Sequence, residues 1–345
     1  MSSEKLLDRS EGSAAGAAYP AAAAAAAEAS AADPDSPTAA DDPLCDALAL
    51  ADAHAALSGA FVAGGEWAIR LHSPDRLKVN CVVRGNPVLV REDSGQHVTL
   101  TPGDVIVSDG GLPYVMCSDP SVTPQPSSPL PIDPTTGFRR IGSGEDVMCV
   151  AGHVDLSRDR GGLLRGALPD LIHVRSTSTE ATTLRRLIEQ LLDEMTGRRP
   201  GAAAAMDHIA QLVFLHVLRI SLVTENLPAG WLRGLADDRI APALRLMHAD
   251  PARPWRLEEL AQAASLSRTA FAVRFRETVG VPPLAYLLNW RMSLAARELR
   301  HGDAPVALLA REVGYGSESA FSNAFKRAMG TSPRNYRHAL TNSRG

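Results

Sequence analysis

The pattern of apolar and polar positions changes its period part-way along the chain. From about residue 46 to residue 174, short alternating runs such as LKVNCVV and VLVRE are interrupted by Gly, Asp or Pro about every eight to twelve residues. Such spacing is typical of a small antiparallel β-sandwich or barrel. In LKVNCVV the alternation places Val79, Cys81 and Val83 on one face, and the Pro- and Ser-rich stretch 118–137 is predicted to be a loop.

Beyond residue 179 the period becomes helical. Residues 180–196 and 202–225 are predicted to form two helices, and the chain is predicted to be helical from Asp238 to its end. The second helix is apolar on nearly every face, which is typical of a helix buried on several sides, and a subunit interface would supply additional burial. We interpret His208 and His216 on this helix as ordinary, partly buried histidines rather than ligands.

One pattern occurs twice in the C-terminal region, about fifty residues apart. The first copy, SRTAFAVRFRETVGVPPLAY, begins at Ser267, and the second, SESAFSNAFKRAMGTSPRNY, begins at Ser317. Each copy has a serine suited to a helix N-cap, two phenylalanines four residues apart, a glycine suited to the helix end, and a proline that opens the next helix. A shorter helix is predicted before each copy, at 257–264 and 306–313. The pattern predicts two helix-turn-helix units.

The segment between the copies, residues 284–300, is predicted to be a rigid helical spacer. Its length of roughly 25 Å, with the width of a helix added, is comparable with the ~34 Å between successive turns of one DNA groove. The alternative is a repeated hairpin that only packs a core, but stacked repeats usually need three or more copies. The apolar stripe expected along the spacer consists of Leu284, Leu288, Met292, Ala295 and Leu299.

Charge is distributed unevenly along the chain. The formal net charge is −4, yet from Ala252 onward 14 Arg and Lys stand against 7 Asp and Glu, and the first fifty residues hold 2 basic and 9 acidic groups. A basic segment on an otherwise acidic chain is typical of a nucleic-acid-binding domain.

The N-terminal segment and the cysteines indicate the cellular setting. Residues 1–42 hold an alanine tract among Pro, Ser and Asp, so we predict a disordered tail rather than a secretory signal, and we expect no transmembrane helix. The cysteines contain no C-x-x-C pair, which disfavours a zinc module or a disulfide framework and suits a reducing cytoplasm. We expect buried, unreactive thiols, a redox-sensing pair being the alternative, at Cys45, Cys81, Cys117 and Cys149.

The repeated segment resembles the DNA-binding domain of the AraC/XylS family of bacterial transcription regulators. The resemblance covers about residues 238–337 and is carried most strongly by LAREVGYGSESAFSNAFKRAMGTSPRNYR. The N-terminal half is similar, through VVRGNPVLV, LTPGDVIVSDGGLPYVM and LLRGALPDLIHV, to the cupin-like effector domain of one branch of that family. The implied fold class is α+β multidomain: a cupin-like antiparallel β-barrel or sandwich followed by helices, then an all-α domain with two helix-turn-helix motifs and a linker helix. The implied divisions are a tail at 1–42, an effector domain at 43–176, a helical dimerisation region at 177–237, and a DNA-binding domain at 238–340 with helix-turn-helix units at 257–279 and 306–328.

The resemblance implies a sequence-specific transcription activator that is controlled by a small-molecule effector. It also implies that the protein is located in the cytoplasm. Its implied partners are double-stranded promoter DNA, an unidentified effector, RNA polymerase and a second copy of the chain, with no membrane. Two alternatives remain open: a metal-dependent cupin enzyme fused to a DNA-binding domain, and a dimeric regulator that needs no ligand.

We expect no catalytic residue, no cofactor and no metal. Metal cupins carry clustered histidines on their strands, whereas here the position after GLP is Tyr114. The histidines in this half, His72, His97 and His153, are scattered along the sequence.

The residues expected at the DNA lie on the outward faces of the two recognition helices. In the second helix, Phe321 and Phe325 should face the core. Early positions of a recognition helix usually reach base edges, and later ones reach phosphates. In the first helix, Val273 occupies a position where related sequences commonly have an arginine, and the arginine here comes one residue later, at Arg274. This helix should therefore make fewer polar contacts with bases, or contact a thymine methyl group instead. The expected DNA-binding set is Arg268, Thr269, Ala272, Val273, Arg276, Glu318, Ser319, Ser322, Asn323 and Lys326.

Overall fold

The computed structural model describes residues 42–342, with gaps at 128–129, 134–136, 158–160, 179–180, 198, 224–226 and 303. Apart from Asp42, the tail predicted over residues 1–42 lies outside the described residues. The Asp42 carboxylate accepts a hydrogen bond from the Leu44 N–H (2.9 Å) and caps helix α1, Pro43–Ala51. Because an N-cap carboxylate satisfies a free amide of the first turn, α1 has a well-defined start.

Two β-sheets pack face to face in the N-terminal half. One has the strand order β11–β6–β3–β10–β1–β9 and the other β5–β4–β7–β2–β8, and the neighbours are antiparallel except β1/β9 and β2/β8. The predicted loop 118–137 contains the two-residue strand β8. The strands are β1 His54–Gly64, β2 Ala68–Leu71, β3 Leu77–Arg84, β4 Val88–Arg91, β5 His97–Thr99, β6 Val105–Ser108, β7 Tyr114–Cys117, β8 Gln125–Pro126, β9 Arg139–Gly142, β10 Val147–Asp155 and β11 Leu171–Val174.

Strand β3 is buried on both faces, whereas the alternating pattern indicated only one. Val79 and Cys81 pack in the core beneath the helices, as the alternation predicts. Val82 lies in the second core, between the two sheets, and Asn80 is buried as well. The difference arises because helices cover one face of this central strand and the second sheet covers the other, so polarity alternation no longer marks an outside face.

Helices α2 Gly161–Arg165, α3 Ala181–Gly197 and α4 Ala202–Val223 follow the strands or interrupt them. Helix α4 packs on β1, where the Gln211 side chain accepts a hydrogen bond from the Ala55 N–H (2.8 Å) and donates one to the Ala53 carbonyl (3.2 Å). Its length and hydropathy would also suit a membrane span. Its burial of Phe214 and Val217 in the core identifies it as a core helix of this fold. On the same helix His216 is half-buried, but His208 is exposed, which corrects the prediction for that residue.

Three of the four cysteines are buried free thiols, at Cys81, Cys117 and Cys149. Burial raises the pKa of Cys81 to about 12, so this thiol stays protonated and unreactive. Cys45 is exposed on α1, and the prediction of a buried thiol is wrong there because it lies on the solvent-facing side of that helix.

The C-terminal half is helical, and the prediction of an α+β chain with a β-sandwich, two helix-turn-helix units and a linker helix is confirmed. Its helices are α5 Trp231–Ala236, α6 Ala241–Ala249, α7 Leu257–Ala263, α8 Arg268–Val279, α9 Pro283–His301, α10 Val306–Glu312, α11 Glu318–Met329 and α12 Pro333–Asn342.

The linker helix α9 is buried through two different faces, so the single apolar stripe predicted along it is wrong in its first half. Leu284 is 48% exposed and Leu288 is 39% exposed. The first half instead buries Tyr286 and Trp290, because it packs in the core of the first helix-turn-helix unit. The second half packs in the separate core of the second unit through the predicted residues Met292, Ala295 and Leu299.

Candidate DNA-binding surface

The first helix-turn-helix unit consists of α7 and α8. The Ser267 hydroxyl accepts a hydrogen bond from the N–H three residues further on (3.3 Å) and caps α8. Gly280 ends the helix in the left-handed conformation, with φ 87°. The rings of Phe271 and Phe275 are fully buried, with centroids 5.6 Å apart. The helix therefore has a fixed start, a fixed end and one buried face, and its opposite face is free to contact another molecule.

The second unit, α10 and α11, repeats this construction. The Ser317 hydroxyl accepts from the N–H three residues further on (3.2 Å), and Gly330 ends α11 with φ 75°. Phe321 and Phe325 are fully buried, with ring centroids 5.6 Å apart. Their predicted inward orientation is confirmed.

The two units are joined by a single helix. Helix α9 has 19 residues. At ~1.5 Å per residue it spans roughly 28 Å, which is close to the ~34 Å between neighbouring segments of one DNA groove. A continuous helix holds the two capped helices at a fixed separation.

On α8, most of the predicted DNA-binding residues face solvent. The side chain of Val273 is 53% exposed, which is high for a large apolar residue. The Arg268 guanidinium lies 3.0 Å from a carboxylate oxygen of Glu258 on α7. Among the predicted residues, Arg268, Thr269, Val273 and Arg276 are exposed and Ala272 is half-buried.

On α11, the predicted residues also line one side. The Glu318 carboxylate lies 3.2 Å from the Arg334 guanidinium of α12, so its orientation is held by a neighbouring cation. Ser319, Asn323 and Lys326 are exposed, and Glu318 and Ser322 are half-buried.

Comparison with known proteins identifies both halves of the chain. Residues 42–222, more than half of the chain, match the cupin family, and residues 260–339 match a helix-turn-helix domain family. An AraC-like transcription regulator of Streptomyces antibioticus is 38% identical over 299 residues, which cover 86% of this chain and 98% of that protein. The chain belongs to the AraC family of transcription regulators. A second AraC-like regulator, from Streptomyces lividans, is 39% identical over the same shares of both chains. The HTH-type transcriptional regulator AlkR of Acinetobacter baylyi is 29% identical over 287 residues, 79% of this chain and 91% of AlkR.

In this AraC-family chain, Arg274 points to a carboxylate within the protein. Its Nε lies 3.0 Å and its Nη2 2.8 Å from Asp237 Oδ2. Asp237 also accepts hydrogen bonds from the backbone N–H groups of Arg239 and Ile240. Burial raises the pKa of Asp237, but the bonds from Arg274 and from the two amides outweigh it, and the pKa lies below its usual value. Arg274 is therefore engaged in holding α8 against the turn between α5 and α6.

Sequence reasoning missed two exposed cations beside the predicted set. Arg334 follows the proline that opens α12 and pairs with Glu318, and Arg327 lies next to Lys326 on α11. The short step from α11 to α12 through Gly330 brings Arg334 back towards the start of α11. The sequence could have indicated Arg334, because it directly follows Pro333, where the start of a helix was already predicted.

The turns of the two units differ at one strained position. Ser265 in the first turn and Gly314 in the second both have positive φ, 52° and 83°. In each turn the next residue donates its N–H to the carbonyl five residues earlier, at 2.9 and 2.8 Å. The second turn has a glycine where the first has a serine, and it also abuts the backbone of Ala252.

Of the three cupin-domain histidines considered as ligands, His153 has a polar partner and the other two are exposed. Among the residues that the structure describes, no three His, Cys, Asp or Glu side chains form a group suited to a metal. Tyr114 is buried, and its hydroxyl accepts a hydrogen bond from the Asn80 amide (2.6 Å). His153 Nδ1 lies 2.8 Å from a serine hydroxyl, while His72 and His97 are exposed.

Proposed function

We propose that this regulator binds promoter DNA by placing α8 and α11 in two neighbouring segments of the major groove. The main support for this proposal is the duplicated structure. Each of the two helices is capped by a serine and buries one face through a pair of phenylalanines, and the continuous helix α9 joins the two units. The excess of 14 basic over 7 acidic residues from Ala252 onward supplies attraction to phosphates.

The second recognition helix is proposed to read bases through hydrogen bonds. Asn323 is exposed in the middle of α11, and an asparagine amide can pair with adenine through two hydrogen bonds. Glu318 can accept from a cytosine amino group, and its pair with Arg334 fixes the carboxylate direction. Ser319 and Ser322 lie on the same side and add adaptable hydroxyl contacts. Base preference at this half of the site therefore depends on polar groups.

The first recognition helix is proposed to read shape and thymine methyl groups. Its outward face presents Val273, Ala272 and Thr269, which offer methyl groups and one hydroxyl. Arg274 is held by Asp237, so it does not supply a base contact in this arrangement. Arg276 and Arg268 are exposed and are assigned to phosphates, as Lys326 is on α11. We expect weaker base discrimination at this half of the site.

We further propose that the regulator is an activator in the cytoplasm, that it responds to a small-molecule effector, and that it contacts RNA polymerase. The proposed divisions are an effector domain at 43–176, a helical dimerisation region at 177–237 and a DNA-binding domain at 238–340. Exposed apolar side chains on α4, Leu212 and Val223, support a homodimer that would cover them.

We propose that the chain is not an enzyme. A metal-dependent cupin reaction would need a set of metal ligands, and the contacts of Tyr114 and His153 are with side chains of the β-sandwich. Metal analysis of purified protein tests this point: a stoichiometric metal whose removal unfolds the β-sandwich would favour the enzyme.

The DNA-binding proposal is tested by binding to a library of single-base variants at several salt concentrations. Asn323→Ala should cost about 1–3 kcal/mol on the true site and relax preference at one base pair. Lys326→Ala should weaken binding to all sequences alike and reduce the salt slope by about one. Arg186→Ala, which removes an exposed cation from α3, is the charge-matched control and should change neither. If Asn323→Ala weakened every sequence equally while Lys326→Ala changed base preference, the proposed orientation of α11 would be wrong.

A further inference from the structure

The inner face of the six-stranded sheet, which faces the second sheet, has a packed half and an open half. Val82 and Cys149 are buried in the core between the two sheets. Further along the same face, Ala151, two residues after Cys149, and Ala56, which pairs with His153, are partly exposed. Inner-face residues of a sandwich ordinarily interdigitate with the opposite sheet, so the partly exposed alanines mark an open half beside the packed core.

Strand pairing brings ionisable side chains to this open half. Lys78 on β3 and His153 on β10 are register partners, so their side chains leave the sheet on the same side. Asn80, two residues after Lys78, donates its amide N–H to the Tyr114 hydroxyl of the second sheet (2.6 Å), which identifies this side as the inner face. Lys78 and His153 are both half-buried, so they line the open half without being sealed from solvent.

A second cation reaches the same region from β9. Arg139 precedes Ile141 by two residues, and Ile141 is buried in the core between the sheets, so Arg139 also lies on the inner face. Burial lowers the pKa of Lys78. The positive charges of Arg76 and Arg139 lower this pKa further, against the opposing effect of Asp155. Lys78 therefore lies within the electrostatic reach of two other cations.

The carboxylate in this region is already paired, whereas two of the cations are not. Arg76 Nε lies 2.7 Å from one oxygen of Asp155, and His153 Nε2 lies 3.4 Å from the other. Among the residues that the structure describes, the half-buried side chains of Lys78 and Arg139 have no hydrogen-bond or ion-pair partner. Because removing a charge from water without a partner costs free energy, two unpaired cations on one face indicate a place for negative charge.

A β-bulge places an uncharged hydroxyl beside the same region. Ser58 is the extra residue of this bulge in β1, because the pairing with β10 passes from Leu57 directly to Gly59. The exposed Ser58 hydroxyl lies 2.8 Å from His153 Nδ1. Burial lowers the pKa of His153, so its ring is neutral at neutral pH. Ser58 and His153 therefore offer polar groups to a ligand without adding charge.

We propose that the open half of this face binds a small organic dicarboxylate, and that this dianion is the effector. The proposal rests on the proposed function, in which the regulator responds to an effector. The Arg139 guanidinium can hold one carboxylate through two parallel N–H groups, and the Lys78 ammonium can hold the other. Arg76 and Asp155 neutralise each other, so the two unpaired cations leave a positive charge that a dianion balances and a neutral molecule does not.

The test titrates the full-length protein with glutarate in a calorimeter. Glutaramide is the uncharged probe of the same length, and inorganic phosphate separates recognition of carboxylates from a general attraction for anions. Glutarate should bind at one site, and both other probes should bind at least about tenfold more weakly. Bound glutarate should change the affinity of the protein for DNA about fivefold or more.

Three variants assign the binding to the two unpaired cations. Lys78→Met removes the charge and keeps the length of the side chain. It should weaken glutarate at least about tenfold and raise the unfolding midpoint of the unliganded protein, because a half-buried, unpaired charge is lost. Arg139→Gln should also weaken glutarate at least about tenfold. Arg140→Gln is the matched control: Arg140 is the next residue of β9, its guanidinium pairs with Asp133 and Glu145, and glutarate should bind this variant within about twofold of the wild type.

Several results would overturn the site. They are the absence of glutarate binding, phosphate or glutaramide binding as tightly as glutarate, equal weakening by Arg140→Gln and Arg139→Gln, and a lower unfolding midpoint in Lys78→Met. Glutarate that bound without changing the affinity for DNA would overturn its assignment as the effector. DNA binding by the unliganded protein is measured alongside. Its absence would contradict the proposed function while leaving the calorimetric result readable.

Discussion

Gly314 is the position where one added methyl group should disturb the second helix-turn-helix unit most. Its φ is 83°, and a Cβ there would lie 2.9 Å from the Ala252 carbonyl carbon and overlap the carbonyl oxygen. The left-handed conformation alone costs a non-glycine residue about 1–2 kcal/mol. Relieving the overlap requires a backbone shift, for which overpacked sites indicate a further ~1–3 kcal/mol. Gly314→Ala should therefore destabilise this unit by about 2–5 kcal/mol.

The first unit supplies the matched control. Ser265 occupies the equivalent turn position with φ 52°, so a non-glycine residue is already strained there. Ser265→Gly removes a strain of about 1–2 kcal/mol and adds about 0.5–1 kcal/mol of unfolded-state entropy. The expected change lies between none and a stabilisation of about 1.5 kcal/mol. Adding a side chain at Gly314 should therefore destabilise its unit, whereas removing one at Ser265 should leave the stability of its unit unchanged or raise it.

Native-state hydrogen exchange measures each unit separately in the full-length protein. Gly314→Ala should speed exchange in α10 and α11 and leave α7 and α8 nearly unchanged. Ser265→Gly should slow exchange in α7 and α8 or leave it unchanged. If Gly314→Ala changed the opening free energy of α10 and α11 by less than about 0.5 kcal/mol, the close approach to Ala252 would not be the reason for glycine at this position.

Two further outcomes are expected from buried and exposed groups. Burial lowers the pKa of His248, so the folded protein binds fewer protons than the unfolded chain. Stability is then full above about pH 6.5 and falls at lower pH, by up to ~1.4 kcal/mol per pH unit, until the folded pKa is reached. Urea unfolding between pH 8 and pH 5 checks this: His248→Gln should flatten the dependence, and a wild-type stability that rises on acidification would contradict it. Among the four cysteines, only Cys45 should react with a thiol reagent in the native protein before it unfolds, because the other three are buried. Its reaction should be slower than that of a free thiol, because partial burial and Asp42 raise its pKa. Cys45→Ser should abolish this fast phase, and a second thiol that reacts equally fast would refute the prediction.

Sequence reasoning located the helix-turn-helix units because their signals are local. The serine caps, the phenylalanine pairs and the terminal glycines each act within one or two helical turns, so their spacing directly encodes the geometry. The outward positions on α8 and α11 follow from the same periodicity. Ser267 and Ser317 illustrate this, since each caps its helix as its sequence position indicates.

What sequence reasoning missed depends on contacts between distant parts of the chain. Asp237 and Arg274 are 37 residues apart, and nothing in the spacing indicates that they pair. The burial of Asn80 and Val82 requires a second sheet over β3, which alternation within one strand does not report. On α9, Leu284 continues an apolar stripe in sequence, but the first half of the helix turns a different face to a different core.

The separation between the two recognition helices is fixed by two contacts with one loop as well as by α9. The Arg291 guanidinium, on α9, donates to the Arg253 carbonyl (2.7 Å) and so ties the linker helix to the loop before α7. The turn at Gly314 packs on Ala252 in the same loop, which ties the second unit to the entrance of the first. A regulator built this way holds α8 and α11 at one spacing in the free protein. His248 contacts both Tyr286 and Trp290 in the first half of α9 and lies 3.4 Å from Asp46 on α1, so the cupin domain is tied to the same helix that joins the two units.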